Sequence, residues 1–286
     1  MDKKIQNLGQ LKGKILLFGG VYSNLQALEA TIQFAQEQGI PPENCLCTGD
    51  IIGYCAQPLE TIETFKAWGA KAILGNVEVQ LITNQDDCGC DFVEGSRCDL
   101  LSNTWYPFAK KQLDRKALNW LQTLPDHLVF SYQDHHFGMV HGSYKKRSQF
   151  IFNSTPWQEK SPNFKALSTD VIIAGHCGLP FTNSHDNQTW INPGVIGMPA
   201  NDGTPKVWCA VLTPIAGGFQ YSFTALHYDH VTASKYMQDV KLPESYAETL
   251  NTGIWDTMDI LPASERRLQG LALSIPDGEL IKKTYF

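Results

Sequence analysis

Four short segments of the chain place a side-chain ligand directly beside a glycine, each at the end of an apolar run. These segments are Gly49-Asp50, Gly75-Asn76, His141-Gly142 and Gly175-His176. A glycine allows a sharp turn or a close backbone approach, so each donor is directed into the crevice beyond its strand. One carboxylate, one amide and two imidazoles suit a borderline divalent ion such as Zn, Mn or Fe(II). Each signal alone is more typical of a turn or a structural histidine, but the ordered set favours a metal site.

The elements that would position these donors alternate between strand and helix patterns in the first third of the chain. Strand-like runs cover 14–20, 45–52 and 70–76, and helical patterns cover 24–38 and 57–68. This order favours parallel strands with helices packed on the sheet. The donors are therefore expected at the carboxyl ends of strands, where α/β proteins place ligands.

The second part of the chain has a different pattern. Residues 83–98 predict a long loop, and 99–123 predict a helix. From residue 128 onward the strand-like runs are short and bounded by turn residues, from LVFSY to FQYSFTAL. These runs favour a second sheet that faces the first.

Composition excludes several classes of protein. The chain has 286 residues, 43% of them hydrophobic and 18% charged, as in ordinary globular proteins. Its net charge of −6 argues against a nucleic-acid polymer as partner. No apolar run is long enough to span a membrane, and the N-terminus lacks a signal-like segment. We therefore expect a cytoplasmic protein without a membrane partner, whose oligomeric state the sequence does not indicate.

The motifs resemble those of the calcineurin-like metallophosphoesterases. That family has Asp-x-His, then Gly-Asp, Gly-Asn-His, a lone His and Gly-His-x-His, and the flanking segments YSNLQALEATI, IAGHCGLPF and WINPGVIGMP are also similar. The resemblance covers about residues 14–212. It implies one α/β domain over 1–286, with two facing mixed β-sheets flanked by helices in a four-layer αββα sandwich. Residues from about 213 to 286 would form a C-terminal extension.

The same resemblance implies a two-metal site, and the chain departs from it on one side only. The positions matching the first ion's ligands are Gly20, Tyr22, Asp50 and Gly178. Of these only Asp50 can serve as the family uses it. The positions matching the second ion's ligands are Asp50, Asn76, His141 and His176, and all four are kept. The expected cofactor is therefore one divalent transition metal, with the second ion's place stripped of ligands.

Several neighbouring residues have two interpretations each. Tyr22 is either a phenol donor to a phosphoryl oxygen or a packing residue in the vacated pocket. Val77 replaces the family's proton-donating histidine and cannot do acid–base work, so Glu78 is considered as a base, or else as a cap at the start of a helix. Ser23 and Asn24, at a predicted helix N-terminus, would steer the substrate's phosphate.

A second unusual feature is the polar segment DDCGCDFVEGSRC, which contains Cys88, Cys90 and Cys98. The surrounding sequence offers little apolar surface to bury these thiols. They would hold a structural Zn or Fe ion, act as replacement ligands for the active-site ion, or remain reduced and unligated. In a reducing compartment a disulfide framework is not expected.

Three functions follow from these observations. The first is a metal-dependent phosphatase or phosphodiesterase with an altered, single-ion centre, acting on a small phosphate ester or nucleotide. The second is a non-catalytic protein that binds a phosphate-bearing ligand on a degenerate scaffold. The third is redox or metal sensing through Cys88, Cys90 and Cys98.

Overall fold

In a computed structural model that describes residues 3–281, two six-stranded β-sheets face each other and helices cover their outer faces. This confirms the predicted fold of two mixed sheets flanked by helices. The described strands are β1 (Ile5–Gln10), β2 (Ile15–Phe18), β3 (Cys45–Cys47), β4 (Lys71–Ala72), β5 (His127–Tyr132), β6 (His135–Val140), β7 (Val171–Ala174), β8 (Phe181–His185), β9 (Gln188–Asn192), β10 (Val207–Ile215), β11 (Gly218–Leu226) and β12 (Gly278–Ile281).

The helices lie between and after these strands. They are α1 (Leu25–Glu37), α2 (Pro58–Trp68), α3 (Asn76–Ile82), α4 (Arg97–Gln112), α5 (Arg115–Leu121), α6 (Trp157–Leu167), α7 (His230–Asp239), α8 (Glu244–Thr252) and α9 (Ala263–Arg266). Helices α1 and α2 agree closely with the predicted ranges. The predicted helix over 99–123 is two helices, because the chain turns at Leu113 and Asp114 caps α5.

The first sheet has the strand order β12-β11-β10-β2-β3-β4, and the second has the order β1-β5-β6-β7-β9-β8. Strands β2, β3 and β4 are parallel, as predicted. The expectation that the strands after residue 128 form one second sheet is wrong for β10 and β11. Strand β10 pairs antiparallel with β2, with Leu212 opposite Ile15, and extends the first sheet. Alternating hydrophobicity marks a strand but does not encode which strand it will pair with.

The core is divided between the space inside the sandwich and its outer faces. In β2, Ile15 and Leu17 face the second sheet, while Leu16 and Phe18 face the helices. All four are fully buried, because a parallel strand covered on both faces is apolar along its whole length. The two sheets also touch through an isolated parallel bridge between Gly19 and Val195.

The ends of four strands bring the predicted donors to one edge of the sandwich. Asp50 follows β3 and Asn76 follows β4, both in the first sheet. His141 follows β6 and His176 follows β7, both in the second sheet. The site therefore takes two donors from each sheet.

The C-terminal part of the chain packs onto this framework. Strand β10 runs through residue 212, where the core was expected to end, and β11 and β12 extend the same sheet. Helices α7 and α8 pack on each other, and α7 also contacts α1. Within residues 3–281, no helix has both the length and the apolar character needed to cross a bilayer.

Candidate metal centre

The turns that carry the donors have unusual backbone conformations. Asp50 has a φ of 54° and His176 a φ of 63°, in the left-handed region that non-glycine residues rarely enter. Gly49 has a φ of 99°, and a Cβ there would lie 2.6 Å from the backbone nitrogen of Gly75. Glycine is therefore required at position 49. Strained residues of this kind cluster at functional sites.

The four predicted donors meet around one imidazole nitrogen. His141 Nε2 lies 3.0 Å from Asn76 Oδ1, 3.1 Å from His176 Nδ1 and 3.2 Å from Asp50 Oδ2. All four side chains are buried. Ligand atoms of Asp50, His141 and His176 lie within 4.8 Å of one another. Ligands bonded to a transition metal at about 2.0–2.2 Å have mutual separations of about 3–4 Å, so the spacing fits a metal ion.

The hydrogen bonds of His141 show which of its nitrogens faces the cluster with a lone pair. His141 Nδ1 lies 2.7 Å from the backbone oxygen of Thr48, an atom that can only accept. Nδ1 therefore carries the hydrogen, and Nε2 of the neutral ring presents a lone pair to the acceptor oxygens of Asn76 and Asp50. Such a buried group of converging lone pairs needs a cation, either a proton or a metal ion.

The orientation of Asn76 is set by the cysteine loop. Its Nδ2 donates to the backbone oxygen of Cys88 at 2.9 Å and contacts Cys90 Sγ at 3.2 Å. A carbonyl oxygen can accept only from the amide nitrogen, so Oδ1 must face His141. The loop thus aims the amide oxygen at the cluster.

Glu78 holds the two turns of the first sheet together. Its carboxylate accepts hydrogen bonds from the backbone N–H groups of Asp50 at 2.9 Å, Gly75 at 2.8 Å and Ile52 at 3.1 Å. The side chain is fully buried. These contacts agree with the interpretation of Glu78 as a cap at the start of α3, where it satisfies backbone donors.

Burial and charge shift the protonation of these groups in opposite directions. Burial opposes ionisation of Asp50, but the charge and hydrogen bond of His141 outweigh it and lower the pKa of Asp50. Burial would lower the pKa of His141, but the Asp50 carboxylate outweighs it and raises that pKa. Burial, followed by repulsion from His141, lowers the pKa of His176 to about 3. Burial, followed by the charge of Asp50, raises the pKa of Glu78 to about 7.

Aromatic rings occupy the other side of the centre. A Cβ at Gly20 would lie 2.5 Å from Cζ of Tyr22, so the Tyr22 ring covers the position where a side chain at 20 would begin. The ring of Tyr22 packs edge-on against Tyr54, with centroids 4.7 Å apart. A Cβ at Gly178 would lie 3.4 Å from Cη2 of Trp255. Burial raises the pKa of Tyr22 well above its ordinary value, so its phenol stays protonated.

Ser23 and Asn24 make contacts within the protein. Ser23 Oγ accepts from the backbone N–H of Gly53 at 3.1 Å. Asn24 Oδ1 caps α1 by accepting from Ala27 N at 3.1 Å, and its Nδ2 donates to Gly197 O at 3.1 Å. Both side chains are buried, so their polar atoms are already engaged in fixing the first turn.

The cysteines differ from the expectation of metal-bound or reduced thiols with little apolar surface around them and no disulfide. Cys88 and Cys90 are paired in a disulfide across one glycine, and they belong to the same buried apolar cluster as Trp105. Cys98 lies on α4 rather than in the loop, because the helix begins at Arg97, and it is also buried. The prediction of little apolar surface around them was wrong, because helices α3 and α4 and the aromatic cluster supply it from outside the segment.

A family model described as the calcineurin-like phosphoesterase superfamily domain matches residues 14–214. The chain belongs to this superfamily. The match confirms the resemblance found in the strand-end motifs, and a divergent member is consistent with it. Superfamily membership implies the use of a divalent metal, and Asp50, His141 and His176 form the candidate site.

Individual relatives are similar to this chain over most of its length. An uncharacterized protein of Methanocaldococcus jannaschii is 24% identical over 258 residues, which cover 85% of this chain and 99% of that protein. A metallophosphoesterase from Sphaerobacter thermophilus has a TM-score of 0.66 at 24% identity, over 85% of this chain and 100% of that one. A hypothetical protein from Pyrococcus horikoshii has a TM-score of 0.70 at 21% identity, over 85% of this chain and 99% of that one. These structural likenesses show the fold.

Sequence reasoning missed the aromatic residues beside the centre. Tyr54, Tyr246 and Trp255 line a cavity that also reaches Asp50 and His176. Tyr246 and Trp255 come from the C-terminal segment, to which the sequence assigned no role. Their arrival at the site depends on long-range packing, and no local pattern in a superfamily sequence would reveal it.

Proposed function

We propose that this superfamily member is a metal-dependent phosphoesterase with a single-ion centre, which acts on a small phosphate ester. The observation that carries the proposal is the buried convergence of Asp50, Asn76, His141 and His176 around one point. When bound, the ion would polarise the phosphoryl group and lower the pKa of a bound water. The donor set suits Zn, Mn or Fe(II).

The residues of this chain divide the remaining work. Asp50 uses Oδ1 to accept from the backbone N–H of Val77 at 3.3 Å, which leaves Oδ2 for the ion. Thr48 and Cys88 fix the orientations of His141 and Asn76 through their backbone oxygens. These partners keep the ligand atoms in place before any ion or substrate arrives.

The site lacks the histidine that would donate a proton to the leaving group. Val77 stands where the superfamily has a histidine, and losing a general acid typically costs roughly 10²–10⁴-fold in rate. Tyr22 keeps its proton and lines the same cavity as Asp50, so we assign it the role of hydrogen-bond donor to the phosphoryl group or leaving oxygen. Glu78 is occupied by the backbone N–H groups of Asp50, Ile52 and Gly75, so we assign it the role of holding these turns rather than that of a base.

The experiment is metal analysis of the purified protein, followed by a screen of phosphomonoesters and phosphodiesters. We expect one divalent ion per chain, and turnover that falls at least about 10²-fold in Asp50→Asn. The matched control is Asp239→Asn, an exposed carboxylate at the end of α7, which should change neither metal content nor rate. Two ions per chain, or full activity of Asp50→Asn, would refute the proposal.

The rings of Tyr22 and Trp255 favour a second candidate function, a protein that binds a phosphate-bearing ligand without cleaving it. Rings that fill the place of catalytic ligands are compatible with recognition alone. A bound ion with no turnover on any ester would support this function. The Cys88–Cys90 disulfide is the observation that favours a redox function. If that function is correct, thiol reductants should change the metal content or the activity of the protein.

A further inference from the structure

A cavity opens directly onto the candidate metal centre. It is partly open to solvent, and both Asp50 and His176 contribute to its wall. Tyr22 lies in the same wall. A phosphoryl group held at the ion would therefore have its organic substituent at the mouth of this cavity or within it.

The wall of the cavity is mostly aromatic and aliphatic. Three parts of the chain supply it: the strand-end turns, the cysteine loop with α4, and the C-terminal segment. The apolar contributors include Tyr54, Phe92, Phe150, Met198, Trp255 and Ile260. Tyr54 packs edge-on against Tyr246 with centroids 5.1 Å apart, and Phe150 lies 4.3 Å from the His176 ring. Such a surface stabilises an apolar or aromatic group by removing it from water.

The charges of the wall argue against a polyanionic ligand. Among the described residues that line the cavity there is no lysine or arginine, and the carboxylates are Asp50 and Asp256. Asp256 accepts from Arg97 Nε at 2.6 Å, so that arginine is already paired. The basic side chains of Lys145 and Arg147 line a different pocket. A second or third phosphate would find no cationic side chain among these lining residues.

We propose that this cavity binds the organic group of the substrate, and that the substrate is an ester of a single phosphoryl group with an aromatic or aliphatic alcohol. Polyphosphates are excluded by the same wall. The proposal rests on the proposed function for the position of the phosphoryl group. The C-terminal segment, through Tyr246, Trp255 and Ile260, is then the part of the chain that sets specificity.

The test compares binding of four probes to the full chain, by isothermal titration calorimetry, so that turnover is not required. With Mn²⁺ present, (1-naphthylmethyl)phosphonate should bind roughly tenfold or more tightly than methylphosphonate, because it buries an additional ring. Methylenediphosphonate should bind no better than methylphosphonate. 1-Naphthalenemethanol, which has no phosphoryl group, should bind both with Mn²⁺ and with EDTA.

Variants in the wall localise the effect. Ile260→Ser should reduce the preference for the naphthyl probe at least about threefold and leave methylphosphonate binding unchanged. Phe92→Ser is a second variant with the same expectation. The matched control is Val231→Ser, an exposed position on α7, which should leave the preference intact.

Two results would overturn the inference: equal affinity for the naphthyl and methyl probes, or tightest binding of the diphosphonate. Failure of the proposed function gives a different pattern. If no ester is hydrolysed but the naphthyl preference and the binding of the alcohol persist, the cavity binds the organic group as inferred and the catalytic assignment alone is wrong.

Discussion

The pocket between the sheets has a polar half and an aromatic half, and both are built from the turns that follow the strands. On one side, Asp50, Asn76, His141 and His176 bring oxygen and nitrogen lone pairs to one point. On the other, the Tyr22 ring covers Gly20, and Trp255 lies against Gly178. The polar half is held by backbone carbonyls and the Glu78 carboxylate, whereas the aromatic half is held by ring packing. The positions of the missing ligands are thus covered by aromatic rings, and these rings form part of the wall of the neighbouring cavity.

The largest expected effect comes from placing a carboxylate back into the aromatic half. Gly20→Asp should destabilise the protein by about 3 kcal/mol, because the new Cβ would overlap the Tyr22 ring. In Gly20→Asp/Tyr22→His the ring is smaller, and we expect at least half of that loss to be recovered. Chemical denaturation of both single variants and the double variant measures the coupling. Additive losses would show that the ring and the glycine are independent.

The polar half should respond to pH in opposite ways with and without metal. In metal-free protein the raised pKa of His141 contributes stability that is fully present below about pH 6.5 and is lost as pH rises through the folded-state pKa. A divalent ion replaces that proton and binds more tightly as the imidazole loses it. At pH 8 we expect Tm with Mn²⁺ to exceed Tm with EDTA by about 2–4 °C or more.

The control for this measurement is His136→Asn, an exposed histidine of β6, which should leave the divergence of the two Tm curves unchanged. If Tm changes with pH in the same way in EDTA and in Mn²⁺, the four donors do not bind a common cation. That result would mean that the polar half of the pocket does not differ from the aromatic half in binding a cation.

A smaller effect separates the two roles of Tyr22. Removing its hydroxyl in Tyr22→Phe should lower kcat about tenfold, the effect of losing one ordinary hydrogen bond in the transition state, with KM unchanged and the free energy of unfolding altered by less than about 1 kcal/mol. Tyr54→Phe, in the same cavity wall, serves as the control and should keep kcat. An unchanged kcat in Tyr22→Phe would assign the ring to packing alone.

The smallest effect is expected at the cysteine loop. Cys90 Sγ contacts the nitrogen of the Asn76 amide, on the side away from the cluster, and a serine oxygen can accept from the same nitrogen. Cys90→Ser should therefore change metal content by less than about twofold, measured by elemental analysis beside Cys98→Ser. A severe loss of metal in Cys90→Ser but not in Cys98→Ser would show instead that the Cys88–Cys90 disulfide is needed to hold the loop against Asn76.

Much of the polar half could be predicted from the sequence, because its information is local. Each donor stands beside a glycine at the end of an apolar run, and parallel strands bring such ends together. Asp50 and Asn76 therefore meet because β3 and β4 are neighbours. The sandwich fold followed from the order of the motifs and their resemblance to one superfamily.

The aromatic half and the cavity could not be predicted in the same way. Trp255 contacts Gly178 because the C-terminal segment packs across the ends of the strands. The hydrophobic pattern of the sequence contains no information about such a long-range contact. The pairing of β10 with β2 was missed for the same reason.

The bridge between Gly19 and Val195 fastens the two sheets beside the site, and each sheet contributes two of the four donors. An ion bound by these four donors would cross-link the two sheets, because separating the sheets would break the bonds to half of its ligands. The affinity for metal and the mechanical resistance of the sandwich should therefore rise and fall together.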